Sequence, residues 1–493
     1  MSITDFIKID TVYTRSINIE RDSDSSAIVK AYIPTSRAVN TFHRISDTFS
    51  QENTPRSWAL IGPYGSGKSS FAIFLSHLLE NQEHETTRYA HDVLNKTDRT
   101  LCNKFENHTN GNRGCLSILI TGAPEPLGKR FLIGMRNAAQ KYWQKVGRKP
   151  KILSKINNAI EQSSITSHEI TELVEELQGN VEKTGSGILI ILDEFGKFLE
   201  YEARHYGAND IYLLQALSEL AMKGSKANLL IFTLMHQGFE EYARGIGKTL
   251  RNEWSKIQGR FEVVPFLESA EQTVHVISKA FINNLPDDKK LEIKVQYTKI
   301  AEILANEDAL PGVLNSEQAS DLFSRCYPLH PITILLLPVL CQKMAQNERT
   351  LFSYLGSKER FGLNDSLDRF NKEKNLVLPW EIYDYFIQNQ SAVLTDPITH
   401  RRWAEVVTAI ERLGDAFSKD VEMLKTIGLL NIIGAQAGFK ASKAIVTLCS
   451  SNKNTANLSI QNLMEKSIIQ FRKFSNEYRV WQGSDFDLDS AVK

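Results

Sequence analysis

The sequence has little that would staple, charge or anchor it. Its five cysteines, Cys102, Cys115, Cys326, Cys341 and Cys449, lie far apart and form no C-x-x-C pair. That usage fits a reducing cytosol and excludes a disulfide framework. Net charge is absent too: 58 Lys and Arg balance 58 Asp and Glu. No global field therefore draws the chain to nucleic acid or to a membrane. The longest apolar stretch, Ile332 to Leu340, is broken by Pro338. It falls far short of the roughly 20 residues of a membrane span. Met1-Ser2-Ile3-Thr4-Asp5 lacks a basic and apolar signal pattern. Together these absences predict a soluble, cytoplasmic chain with no membrane partner. What is present is ordinary globular composition, 42% hydrophobic and 24% charged. At 493 residues the chain is too long for one core.

Against this background Gly62-Pro63-Tyr64-Gly65-Ser66-Gly67-Lys68-Ser69 stands out, because it fits G-x-x-x-x-G-K-[ST]. Trp58-Ala59-Leu60-Ile61 before it reads as a buried strand, and the ten residues from Ser70 to Leu79 read as a helix. Strand, glycine loop and helix start are the context that this phosphate-binding motif requires. The glycines let backbone N–H groups turn inward on a polyphosphate, and the helix N-terminus adds partial positive charge. Lys68 is expected on the β- and γ-phosphates of ATP. The Ser69 hydroxyl is expected on Mg²⁺, with Gly62 to Gly67 and Ser70 completing the nucleotide-binding set.

The second signal is Ile188-Leu189-Ile190-Ile191-Leu192-Asp193-Glu194. A continuous apolar run marks a strand covered on both faces, as in a parallel sheet. Its two terminal carboxylates fall where ligands of open α/β sheets bind. Asp193 is expected to hold Mg²⁺ through water and Glu194 to polarise the attacking water. Lys68 and Asp193 stand 125 positions apart, which calls for an insertion between their strands. Leu116 to Ile120, Leu229 to Met235 and Phe261 to Phe266 read as further strands. At the end of the second of these, His236 is the favoured γ-phosphate sensor, ahead of Thr233 and Gln237. Arg260, and after it Arg251, suits a finger reaching a neighbouring subunit's nucleotide in a homo-oligomer.

The expected fold is therefore α/β, a P-loop NTPase parallel sheet core with a helical lid and a C-terminal winged-helix-like domain. The expected divisions are a lead-in at 1–57, the core at 58–266 with an insertion near 81–114, and the lid at 267–355. A connector at 356–400 and the winged-helix-like domain at 401–483 follow, and 484–493 reads as the start of a further segment. The insertion holds His84, His91, Cys102, His108 and Cys115, whose spacings match no tight metal pattern. It reads as helices and loop. From Leu127 to Ile160 there are nine Lys or Arg and no acid. This local basic face at 127–155 could meet DNA or an acidic partner, or pair with the acidic stretch at 161–183.

The order of these motifs resembles the AAA+ and STAND branch of P-loop ATPases over roughly 30–480. Three stretches look similar to the large BrxC- and PglY-type ATPases of bacterial anti-phage BREX systems. They are the phosphate loop through Ser70, Tyr327-Pro328-Leu329-His330-Pro331 with Gln346-Asn347-Glu348-Arg349, and Tyr478-Arg479-Val480-Trp481-Gln482-Gly483-Ser484-Asp485-Phe486. The resemblance implies an Mg²⁺-dependent ATPase acting as switch or motor with other defence proteins. In STAND proteins a Gly-x-Pro motif in the lid touches the nucleotide. Here Cys326-Tyr327-Pro328 keeps the proline without the glycine, which makes Pro328 a nucleotide-contact candidate. The alternatives are a DNA-loading ATPase of replication or repair and an ATP-binding scaffold with little turnover.

Overall fold

The computed structural model describes residues 3–13, 17–51, 54–144, 146, 149–162, 164–205, 210–224, 227–242, 248–267, 269–312, 314–344, 351–356, 358–370, 375–388, 397–414, 418–450 and 452–481. In chain order the strands are β1 (Ile7–Ile9), β2 (Ser57–Ile61), β3 (Cys115–Thr121), β4 (Gly187–Asp193), β5 (Asn228–Met235), β6 (Glu262–Pro265), β7 (Phe281–Asn283), β8 (Ile469–Arg472) and β9 (Glu477–Val480). The chain divides into two compact units. One comprises residues 16–268, the other residues 1–15 with 269–493.

The first unit is built on a five-stranded sheet of order β3-β4-β5-β2-β6, parallel at every pairing. Every residue of β4 and β5 is buried. That is why both read as unbroken apolar runs rather than alternating ones. Parallel neighbours need crossovers. Helices supply them, among them Leu127–Tyr142, Ser167–Val181 and Asp210–Met222. The order sets β5 between β2 and β4, so three strand ends line one edge of the sheet. The loop after β2 runs straight into the helix Lys68–Leu78. This is a P-loop NTPase core. The helix Ser36–Asp47 packs onto the phosphate-loop helix, Phe42 stacking on Phe71 at 4.7 Å between centroids. Its N-terminus is capped by Thr35, whose hydroxyl accepts the Ala38 N–H. Between β2 and β3 the chain inserts two helices, Glu85–Thr97 and Arg99–Thr109, the second capped by Asp98.

In the second unit β1 and β7 form a short antiparallel pair. The helices Asp287–Asn306, Ser316–Arg325 and Pro331–Met344 follow. The apolar run Ile332 to Leu340 packs into this unit's core. Ile332, Ile334, Leu336 and Leu337 are fully buried there, as an all-round apolar helix must be. Toward the C-terminus come Pro397–Leu413, Ser418–Leu429, Lys443–Leu448 and Lys453–Glu465, then the β8–β9 hairpin. Asn431 holds that hairpin: its side chain donates to the Tyr478 carbonyl (2.9 Å) and accepts the Val480 N–H (3.0 Å). Gln346 to Arg349 and Gln482 to Lys493 lie outside the described residues. Among the described residues no helix is long and apolar enough to cross a membrane.

Candidate functional site

The site is assembled at the C-terminal ends of β2, β4 and β5. Gly67 takes the left-handed conformation at φ 86° and serves as the N-cap of the phosphate-loop helix. A side chain with a Cβ would be strained there. The turn leaves the first N–H groups of the helix without intrahelical partners. Lys68, the first helical residue, is buried. Its ammonium folds back into the loop, donating to the carbonyls of Gly62 (2.7 Å) and Pro63 (2.8 Å) and to Ser66 Oγ (3.3 Å). Burial pushes its pKa down to about 8, against the opposing pull of Asp193 and Glu194. The cation thus sits in a cradle of neutral oxygens.

Ser69, one residue on, faces the end of β4. Its hydroxyl donates to Asp193 Oδ2 at 2.7 Å, and the Glu194 N–H donates to Asp193 Oδ1 at 2.8 Å. Burial nonetheless raises the Asp193 carboxyl above its ordinary value. A hydroxyl beside a buried carboxylate whose charge is penalised is a hard, all-oxygen donor set. Ser69 and Asp193 would hold Mg²⁺, whose charge would restore the carboxylate. Glu194 has φ 48°, a left-handed conformation uncommon outside glycine. Its carboxylate is tied to Lys197 Nζ, three residues on. The neighbouring turn makes room: a Cβ on Gly122 would lie 2.2 Å from the Glu194 carbonyl oxygen. The Gly122 N–H donates to the Asp193 carbonyl at 2.8 Å.

His236 closes the site from the end of β5. Its ring stacks on Tyr64 of the phosphate loop, with 3.3 Å between centroids and 28° between planes. Both ring nitrogens are buried without a hydrogen bond of proper geometry. Burial, with the Lys68 charge adding to it, pushes the ring's pKa down to about 3, although the nearby Gly62 backbone favours the charged form. The imidazole is neutral at pH 7. Thr233, weighed beside it in the sequence, is buried within the sheet and reaches only the Trp58 carbonyl, at 3.5 Å. Gln237 is exposed.

The remaining candidates have partners of their own. Arg260 follows the helix Lys248–Gln258, and its guanidinium pairs with Glu219 at 2.9 Å on the surface. Pro328 belongs to the second unit, where its carbonyl accepts the Val377 N–H at 2.9 Å. The basic face is partly neutralised inside the chain. Arg130 pairs with Glu20 (2.5 Å), Lys141 with Asp24 (2.5 Å) and Lys155 with Glu176 (2.7 Å).

Two contributions escaped sequence reasoning. Lys197 gave no signal of its own: the turn at Glu194 that brings the two side chains together does not show in their spacing. Glu20 comes from far upstream to accept the Thr121 N–H at 2.6 Å. Thr121 is the residue paired in register with Asp193.

No protein-family model matches the chain, and no curated protein matches it. Among solved structures it is similar to the ORC2 protein of Aeropyrum pernix in its ADPNP and ADP complexes. Identity is 10%, with 97% of this chain and 94% of that one covered and a TM-score of 0.33. The Walker-type ATPase PABY2304 of Pyrococcus abyssi shows 13% identity over 91% and 93%, with a TM-score of 0.32. The Aeropyrum pernix ORC1 protein in complex with DNA shows 13% identity over 96% and 95%, with a TM-score of 0.30. At these values the likenesses carry no functional weight.

Proposed function

We propose that the chain binds ATP with Mg²⁺ and hydrolyses it, as a nucleotide switch or motor. One observation supports this above all others. Lys68, Ser69, Asp193 and Glu194, far apart in sequence, meet around a single helix N-terminus. Mg²⁺, when bound, supplies charge neutralisation along the phosphates. The chain's own residues do the rest. Lys68 exchanges the Gly62 and Pro63 carbonyls for phosphate oxygens, a charge-assisted contact stronger than the one it leaves. The loop N–H groups and the helix N-terminus fix the polyphosphate in place. Glu194 orients and polarises water once Lys197 lets its carboxylate go. His236 offers a neutral ring to the terminal phosphate and carries its position to Tyr64 through the stack.

The biological role we favour is a bacterial anti-phage defence complex, on the strength of the motif resemblance. A DNA-loading role would rest on the C-terminal winged-helix-like domain and on the basic face, three of whose cations have carboxylate partners within the chain. Calorimetry with ATP and Mg²⁺, beside a phosphate-release assay, tests the reading. Lys68→Ala should lose ATP binding, and Glu194→Gln should bind but not turn over. Affinity of Lys68→Ala within a factor of about three of the parent, under 1 kcal/mol, would remove Lys68 from the site. Undiminished turnover by Glu194→Gln would pass the base to His236.

A further inference from the structure

The insertion between β2 and β3 carries a second constellation, away from the nucleotide cluster. Of the five His and Cys residues that the sequence places there, three are engaged elsewhere. His84 pairs with Glu80 at 3.2 Å, His108 stacks on Phe49, and Cys115 faces Ser186 at 3.4 Å. The other two converge. His91, on the helix Glu85–Thr97, and Cys102, on Arg99–Thr109, are both buried, and Glu106 joins Cys102 one helical turn on. One donor atom from each of the three lies within 4.8 Å of the other two.

The spacing and tautomer both bear on what these atoms can hold. His91 Nδ1 and Glu106 Oε1 are 3.5 Å apart, and Cys102 Sγ and Glu106 Oε1 are 3.6 Å apart. The first is too long for a good hydrogen bond. Both match the edge of a tetrahedron about 3.3–3.6 Å long, as zinc bond lengths to N, O and S set it. His91 Nε2 lies 3.2 Å from the Leu78 carbonyl. A carbonyl only accepts, so Nε2 carries the hydrogen. In the neutral ring that leaves the Nδ1 lone pair aimed at the cluster, and a carbonyl behind a ligating imidazole is the usual support of a metal histidine.

We infer that His91 Nδ1, Cys102 Sγ and Glu106 form a three-donor site for one thiophilic divalent cation, zinc by preference, with water in the fourth position. Binding breaks the Cys102 S–H bond, now directed at the His91 carbonyl (3.3 Å). The proton goes to solvent and the sulfur's electron pair to the metal. A dication with one thiolate, one carboxylate and a neutral imidazole is net neutral, which suits a largely buried site. Leu78 ends the phosphate-loop helix. The cation would therefore fasten the insertion to the far end of that helix.

Chelator-treated full-length chain, titrated with cobalt(II) alone, gives the test. The expected result is one equivalent bound, a near-ultraviolet sulfur-to-cobalt charge-transfer band, and its loss on adding zinc. Cys102→Ser should abolish the band, and Cys341→Ser should keep it. Glu106→Gln, at a half-exposed position that folding tolerates, should weaken cobalt binding at least about tenfold, the low end of what losing even an outer partner costs. Absence of the band in the parent chain, its persistence in Cys102→Ser, or unchanged affinity in Glu106→Gln would each overturn the site.

Discussion

Lys68 predicts a pH dependence of nucleotide binding whose size follows from its burial. Its pKa in the ligand-free cradle is about 8. Roughly 90% of the ammonium is then charged at pH 7 and roughly 10% at pH 9. A polyphosphate favours the charged form, so the pKa rises on binding. Above pH 8 the complex must therefore take up a proton that the free protein has lost. Affinity is fully present below pH 8 and falls as pH rises above it. Between pH 7 and pH 9 the loss should be about tenfold, or about 1.4 kcal/mol. The last phosphate ionisation lies near pH 6 and is nearly complete across this window. The assay is calorimetry with a non-hydrolysable ATP analogue and Mg²⁺, in two buffers of different ionisation enthalpy. Proton uptake should be near zero at pH 7 and approach one at pH 9. Any binding retained by Lys68→Arg should be flat with pH, since a guanidinium stays charged throughout. Affinity constant within a factor of about two, with no proton uptake at pH 9, would refute the buried-ammonium argument.

Two further outcomes are expected. Lys197→Ala frees the Glu194 carboxylate; an exposed pair is worth at most about 1 kcal/mol, so phosphate release should rise by no more than about five-fold. Slower release would make Lys197 a phosphate contact instead of a latch. Arg260→Ala should bind ATP as the parent does yet lose most turnover, and mixing it with Glu194→Gln should restore part of the activity. Activity per subunit that is flat with protein concentration, and no gain on mixing, would exclude a finger acting between subunits.

The sheet was legible in the sequence because burial on both faces forces unbroken apolar runs. Ile188 to Leu192 and Leu229 to Met235 could hardly have been anything but central strands. The phosphate loop was legible because its glycine spacing has one common structural use. The C-terminal hairpin turns through Asn476 at φ 52°. β1 and β7 were invisible: three residues are too few to show a period, and their pairing spans most of the chain. The Tyr64–His236 stack and the His91–Cys102–Glu106 cluster were illegible for a different reason. Each depends on how separate elements pack, which no local spacing reports. Glu106 is set apart from other acids of its helix only by Cys102 and His91 beside it.

The position of β2 in the sheet also governs how the chain can be made. Its two neighbours, β5 and β6, are both translated long after it. At about 5–20 residues per second, a ribosome needs roughly 9–35 s to go from Ile61 to Met235, the end of β5. Throughout that interval Trp58, Ala59 and Leu60 have neither hydrogen-bonding edge filled. Nascent chains halted before β5 would display a bare apolar strand, the kind of edge that recruits other strands or chaperones. Splitting the gene anywhere between β2 and β5 would leave the phosphate loop on a fragment unable to hold it.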